Sequence, residues 1–283
     1  MASNLIIARG AVGHVPPISL AFWRWFFVVL ILLPFLYKKI FSNIKDLKKE
    51  WLKLFFLGSM ACGVCGAFPF IAGKTTTATN MGIIYSSSPI FIIILSSIFF
   101  SEVIKKIQVI GLLVCITGVL LIISKGDISQ LYNLKFTSGD LWILGSAIGW
   151  ALYSVYLLNW KSNFDIYLRF FFISFFGALS LLPFYFLEEF YLNEQTFFSS
   201  EFLFWVLFGA LSPGIIAFTM YTKVQKYLGA SKTGFTLYLY ALYAAFYGVI
   251  LFGEKLEYYH LISACLVFFG IYLVNKKKNI NIK

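Results

Sequence analysis

Charge is scarce in this 283-residue chain: 12% of the residues are ionic, against roughly 25% in soluble domains. So few ions cannot cover a water-facing surface, which excludes a soluble enzyme, a soluble nucleic-acid-binding domain and a disordered chain. Histidine is reduced to His14 and His260, and no HExxH, GxSxG or close carboxylate pair on one helix face supports intramembrane catalysis. The four cysteines, Cys62, Cys65, Cys115 and Cys265, all fall inside apolar runs and indicate neither a disulfide framework nor a metal cluster. Strict two-residue alternation is missing, which argues against a β-barrel. Gly73-Lys74-Thr75 lacks the glycine that a phosphate loop needs at position 68, where Phe68 stands. No cofactor is implied.

What the chain has is apolar length. Runs can be read at 18–37, 52–72, 78–100, 103–124, 141–160, 164–187, 202–221, 233–252 and 258–274. Each can cross about 30 Å of hydrocarbon as a helix. The stretch 1–12 is apolar but yields only about 18 Å of helix, so a first crossing is short, or its beginning lies upstream. The expectation is an all-α polytopic bundle of about ten transmembrane helices. With Met1 on the cytoplasmic side, the inward connections hold fifteen lysines and the outward ones four, the bias expected of cytoplasmic loops. The segment 188–201 adds four acidic residues and no basic one on the outward side. Both termini are therefore expected in the cytoplasm.

The chain also repeats itself. At a shift of 152 residues Lys74 meets Lys226, Ala78 meets Ala230, Gly82 meets Gly234, Glu102 meets Glu254 and Gly118 meets Gly270. Positions 74 to 121 give nine identities, where a composition so biased would give about four by chance. Arg24 and Pro34 likewise resemble Arg169 and Pro183. A period holding five crossings is odd, so its two copies must sit in the membrane upside down relative to each other. Inverted repeats are the architecture of alternating-access carriers, with solute held near mid-membrane.

The segments Ala2-Ser3-Asn4 to Arg9, Phe22-Trp23-Arg24-Trp25, Gly139-Asp140-Leu141, Gly149-Trp150-Ala151-Leu152-Tyr153 and Gly229-Ala230-Ser231 carry a further signal. Together with the ending Phe252-Gly253-Glu254-Lys255 to Gly270-Ile271-Tyr272-Leu273, they resemble the ten-helix EamA branch of the drug/metabolite transporter superfamily over nearly the whole chain. The resemblance implies a bacterial inner-membrane carrier for small organic solutes, commonly amino acids or related metabolites. It implies two repeats, at 1–126 and 138–275, and a basic tail at 276–283. Two departures stand out: Met1 occupies the place of a usual tryptophan, and the family's ninth-helix proline is Ala241, although its repeat partner Pro89 is kept.

Candidate site residues follow from chemistry that is expensive in lipid. Pro89 deprives the carbonyl of Tyr85 of its helical donor, and Ser86, Ser87 and Ser88 stand beside the break. The break opens either a solute site or a serine-lined packing notch. The repeat sets Tyr238, Tyr240 and Ala241 opposite, and Trp150 with Tyr153 completes a pocket of rings and hydroxyls, although such rings also serve as packing. Arg24 and Arg169 are read as snorkelling toward the interface, with an intramembrane functional role as the alternative. Glu102 and Glu254 are read as clamps on the following helix, or as coupling-proton sites. With no fixed acid or base at mid-depth, the expected solute is net-neutral, zwitterionic or cationic, a quaternary ammonium being held by aromatic faces. Gly145-x-x-x-Gly149 permits close helix contact within the chain or across a homodimer. The expected partners are a small organic solute and the lipid bilayer, with no nucleic acid. The rival functions are a passive channel or facilitator and a membrane-embedded lipid-modifying enzyme.

Overall fold

The computed structural model describes residues 3–11, 13–76, 78–124, 126–127, 129, 137–192, 194, 196–239, 242–243 and 258–275. The described residues form helices and connections, with no strand among them. In chain order the helices are α1 (Ser3–Gly10), α2 (Pro17–Ser42), α3 (Ile44–Ala72), α4 (Ala78–Tyr85), α5 (Ser88–Phe100), α6 (Lys106–Ile123), α7 (Ser138–Asn159), α8 (Ile166–Tyr191), α9 (Ser200–Leu228), α10 (Ala230–Gly234, continued as a 3₁₀ turn to Tyr238) and α11 (Tyr258–Asn275). Five of them, α2, α3, α7, α8 and α9, are long and apolar enough to span a bilayer, and α5 and α6 are shorter apolar helices. This is a polytopic helical membrane bundle. Its outward residues fit lipid rather than water: Phe35 is 80% exposed, and Phe41, Leu141 and Leu261 are exposed as well.

Polar contacts at the helix ends define the two ends of the bundle. Pro17 opens α2 at a position where a missing N–H costs nothing. The carboxylate of Glu188, near the end of α8, accepts from the amides of Ile18 at 3.0 Å and Ser19 at 2.6 Å. It thereby caps α2 from another helix, a negative charge at a positive helix terminus. The far end of α2 is tied to the start of α8, where Lys39 pairs with Asp165, the residue that caps α8 through the Leu168 amide. Helices α2 and α8 are therefore antiparallel neighbours. Lys74 pairs with Glu194, on the Glu188 side. Lys226 lines a cavity with Asn163 and Arg169, on the Asp165 side. The two repeat-related lysines thus lie at opposite ends of the bundle.

The apolar run at 78–100 breaks into two helices. Pro89 sits in the first turn of α5, where its missing N–H is tolerated, and the chain turns at Ser86 and Ser87. Three of the spans also contain π-helical stretches, Ser59–Val64 in α3, Leu187–Tyr191 at the end of α8 and Ala210–Ile216 in α9, the last containing Pro213. Such stretches widen a helix locally and occur often at functional sites. Gly145 and Gly149 face α3 of the same chain: an added Cβ would fall 3.0 Å from the Phe68 ring and 2.7 Å from Val64. The motif is used within the chain.

Candidate functional site

The helix before the break, the residue that follows the α3 π stretch and the π stretch of α9 meet at one internal cavity. Its walls come from Asn4 of α1, Arg24 of α2, Cys65 and Pro69 of α3, and Met81 and Tyr85 of α4. From the second half of the chain come Ile143 and Trp150 of α7, with Pro213 and Phe218 of α9. The free volume is about 30 Å³, room for a couple of waters.

Among the described residues of this lining Arg24 is the only permanently charged group. It is 3% exposed, so it does not snorkel to the interface as expected from sequence. Its guanidinium lies 4.7 Å from the Trp25 ring centre and 5.2 Å from that of Phe70. One terminal N–H donates to Asn4 Oδ1 at 2.6 Å, while Nε has no partner among the described residues. Two glycines make the room. A Cβ on Gly209 would meet Arg24 Cδ at 2.7 Å, and one on Gly66 would meet Trp25 Nε1 at 2.8 Å. The expectation of no fixed acid or base at mid-depth left this buried arginine out of account. The quaternary-ammonium solute it suggested would meet a like charge in the cavity.

The other nominated residues separate. Tyr85 and Trp150 line the cavity. Tyr153 is buried behind it, its ring centre 5.2 Å from that of Trp150 and 5.7 Å from that of Phe218. Ser86, Ser87 and Ser88 donate within their own turn, to the carbonyls of Gly82, Ile84 and Tyr85 at 2.7, 2.6 and 2.6 Å. The carbonyl that Pro89 leaves without a helical donor is thus taken by Ser88, which is the packing-notch arrangement. Tyr238 lies elsewhere, in an apolar cluster with Ile93, Phe235, Cys115 and Val267. Tyr240, Ala241 and Glu254 lie outside the described residues.

Arg169 donates to the carbonyls of Leu157 and Trp160, both at 2.9 Å, and so closes the C-terminal turn of α7. It is a helix-capping residue that keeps its charge at the mouth of the bundle. Glu102 follows Ser101, the left-handed end of α5 at φ +53°. The cap on the next helix comes instead from Gln108, whose Oε1 accepts from the Lys105 amide at 2.9 Å.

Toward the Lys39 end a polar layer lies beside the cavity. Ser154 and Tyr221 share a hydrogen bond of 2.8 Å, and Gln225 Nε2 donates to the Ser154 carbonyl at 2.6 Å. All three are buried. Beyond this layer opens a vestibule of about 390 Å³, whose lining includes Lys161, Arg169 and Lys226, with Glu50 accepting from the Asn163 amide at its edge.

A multi-span helical bundle with one cavity inside and a wider one toward one end is an arrangement that suits a membrane transport protein. The chain belongs to the EamA-like transporter family, whose model matches residues 1–124 and 137–276. It is 24% identical over 278 residues to an uncharacterized transporter of Archaeoglobus fulgidus, covering 98% of this chain and 94% of that one. It is 29% identical to the uncharacterized transporter YetK of Bacillus subtilis, covering 98% and 84%. A solved crystal structure shares the fold at a TM-score of 0.76 with 16% identity, covering 97% of this chain and 92% of that one.

Proposed function

We propose that the protein is a secondary transporter that moves a small organic metabolite, of amino-acid size, by alternating access. The observation that carries this reading is the chamber at Arg24, Tyr85, Trp150 and Phe218, built from helices of both halves of the chain and parted from the vestibule by the hydrogen-bonded Ser154–Tyr221–Gln225 layer. A carrier requires a site that both halves contribute to and a barrier that one half can withdraw. At about 30 Å³ the chamber is too small for such a solute, so loading requires the helices to separate, as a rocking carrier does. Orientation follows from lysine. The end bearing Lys39, Lys161 and Lys226 faces the cytoplasm in this reading, in the plasma membrane of a prokaryotic cell.

The test is counterflow in proteoliposomes with radiolabelled amino acids and small carboxylates. Saturable uptake, accelerated by unlabelled solute on the opposite side, is the result expected of a carrier. Flux proportional to the gradient with no exchange supports the passive facilitator instead.

A further inference from the structure

We propose that Arg24 is the anion-binding group of the central chamber, and that its solute carries a single carboxylate on an apolar or aromatic body. The inference rests on the carrier reading and names the class of solute for the same site. The charge count drives it. None of the ion pairs among the described residues includes Arg24, although its side chain is 3% exposed. An unpaired charge inside a bundle costs several kcal/mol, and intramembrane ions are kept where they act on a solute or an ion path. Trp25 and Phe70 reduce that cost through their ring faces but do not neutralise the charge. Asn4 takes one donor, and Nε has no partner among the described residues and remains for an acceptor.

The valence and shape of the solute follow. With one uncompensated positive charge, a monoanion leaves the chamber neutral, whereas a dianionic phosphate leaves it negative in low dielectric. A planar carboxylate also matches the planar fork of a guanidinium. The facing wall, with Met81, Trp150 and Phe218, is apolar and suits a hydrocarbon or aromatic body. The vestibule has the matching sign: its described lining carries Lys161, Arg169 and Lys226. Of the carboxylates at its edge, Asp165 is already paired with Lys39 while Glu50 accepts from the Asn163 amide, so the mouth keeps a positive excess that attracts anions.

The test uses the full-length protein in detergent and three probes of one shape: 3-phenylpropionate, its amide and 3-phenylpropylamine. Thermal unfolding is followed at constant ionic strength. The expected result is a saturable rise in Tm with the carboxylate alone, at least ten-fold weaker binding in Arg24→Gln, and partial retention in Arg24→Lys. Because Arg24→Lys keeps the charge, it separates loss of the anion site from loss of structure. A carboxylate shift that survives Arg24→Gln, an amide that matches the acid, or no carboxylate shift at all overturns the proposal. Carboxylate binding without counterflow removes the carrier reading and leaves this inference standing. Counterflow of amines or neutral solutes that Arg24→Gln leaves unchanged does the reverse.

Discussion

Cys115 Sγ lies 3.6 Å from the carbonyl of Val267, a residue 152 positions further along the chain. That separation equals the period of the internal repeat, so the two halves touch at equivalent positions. The glycines around this contact obey the same relation. A Cβ on Gly118 would approach the Ser263 carbonyl at 3.0 Å, and one on Gly270 would approach the Gly111 carbonyl at 2.7 Å. Gly111 and Ser263 are themselves 152 apart, so α6 and α11 cross antiparallel about a local two-fold axis. Overpacking that crossing should be costly. Gly270→Ala places a methyl 2.4 Å from Cys115 Sγ and 2.7 Å from backbone, and it should destabilise the protein by about 1–3 kcal/mol. Cys115→Ala removes only the sulfur contact, so the double variant should recover part of the loss in a thermal unfolding assay.

The opposite placement of Lys74 and Lys226 is open to direct measurement. Lys74→Cys and Lys226→Cys, introduced singly with the native cysteines replaced, should react with a membrane-impermeant maleimide from opposite sides of sealed vesicles. Lys39→Cys should label with Lys226→Cys. Labelling of positions 74 and 226 from one side would contradict both the ion-pair pattern at the helix ends and the inverted repeat.

Glu188 carries the start of α2. It accepts from two backbone amides and from the Ser19 hydroxyl at 2.8 Å, and it is 2% exposed. Glu188→Ala strands those donors in a buried place and should lower stability by about 1.5–3 kcal/mol. Glu188→Gln retains one acceptor oxygen and the side-chain volume, so its loss should be smaller. A denaturation series on the two variants checks the order. An equal or larger loss for Gln would mean that charge at the helix terminus, rather than acceptor geometry, dominates.

The bundle was legible from the apolar runs because lipid allows only helices or closed barrels to cross it. The repeat was legible from matched glycines, since Gly118 and Gly270 are needed where two backbones meet. The chamber was only partly legible. Tyr85 and Trp150 stood out as rings beside helix breaks, but Phe218, Met81 and Ile143 look like any other residue in a chain that is 60% apolar. Arg24 was visible yet misplaced, because depth along a helix does not say which way a long side chain turns. The missing signal lay in Gly66 and Gly209, far apart in sequence, whose lack of side chains makes room for the guanidinium and its ring partner. The serines misled for a related reason: a hydroxyl next to a helix break binds the nearest free carbonyl before it can serve a solute.

At the Lys39 end the electrostatics predict a pH response. Burial alone would raise the Asp165 carboxyl, but the Lys39 ammonium and the Leu168 amide outweigh it and hold the group below the usual carboxylate range. A depressed folded-state value means stability that is fully present above the unfolded value of about 3.9 and is lost as pH falls through the folded one. The Tm difference between wild type and Asp165→Asn should therefore stay constant from neutral pH down to about 5 and shrink below about 4. Because the pair is exposed, the difference should also narrow in high salt. A difference that grows on acidification would remove the assignment.

The most discriminating variant for the chamber leaves its charge untouched. Gly209→Ala introduces a methyl 2.7 Å from Arg24 Cδ and 3.2 Å from Cγ, so the arginine must shift or the helices must part. If Arg24 receives a carboxylate, a displacement of a few tenths of an ångström spoils the two-point geometry, and affinity for 3-phenylpropionate should drop about ten-fold, or 1.4 kcal/mol. The neutral amide should be unaffected, because it never depended on the fork. Were Arg24 only a packing element, the same methyl would lower Tm while leaving the ratio of acid to amide binding where it was. Measuring both ligands on one variant therefore separates a positioned anion site from a crowded helix crossing.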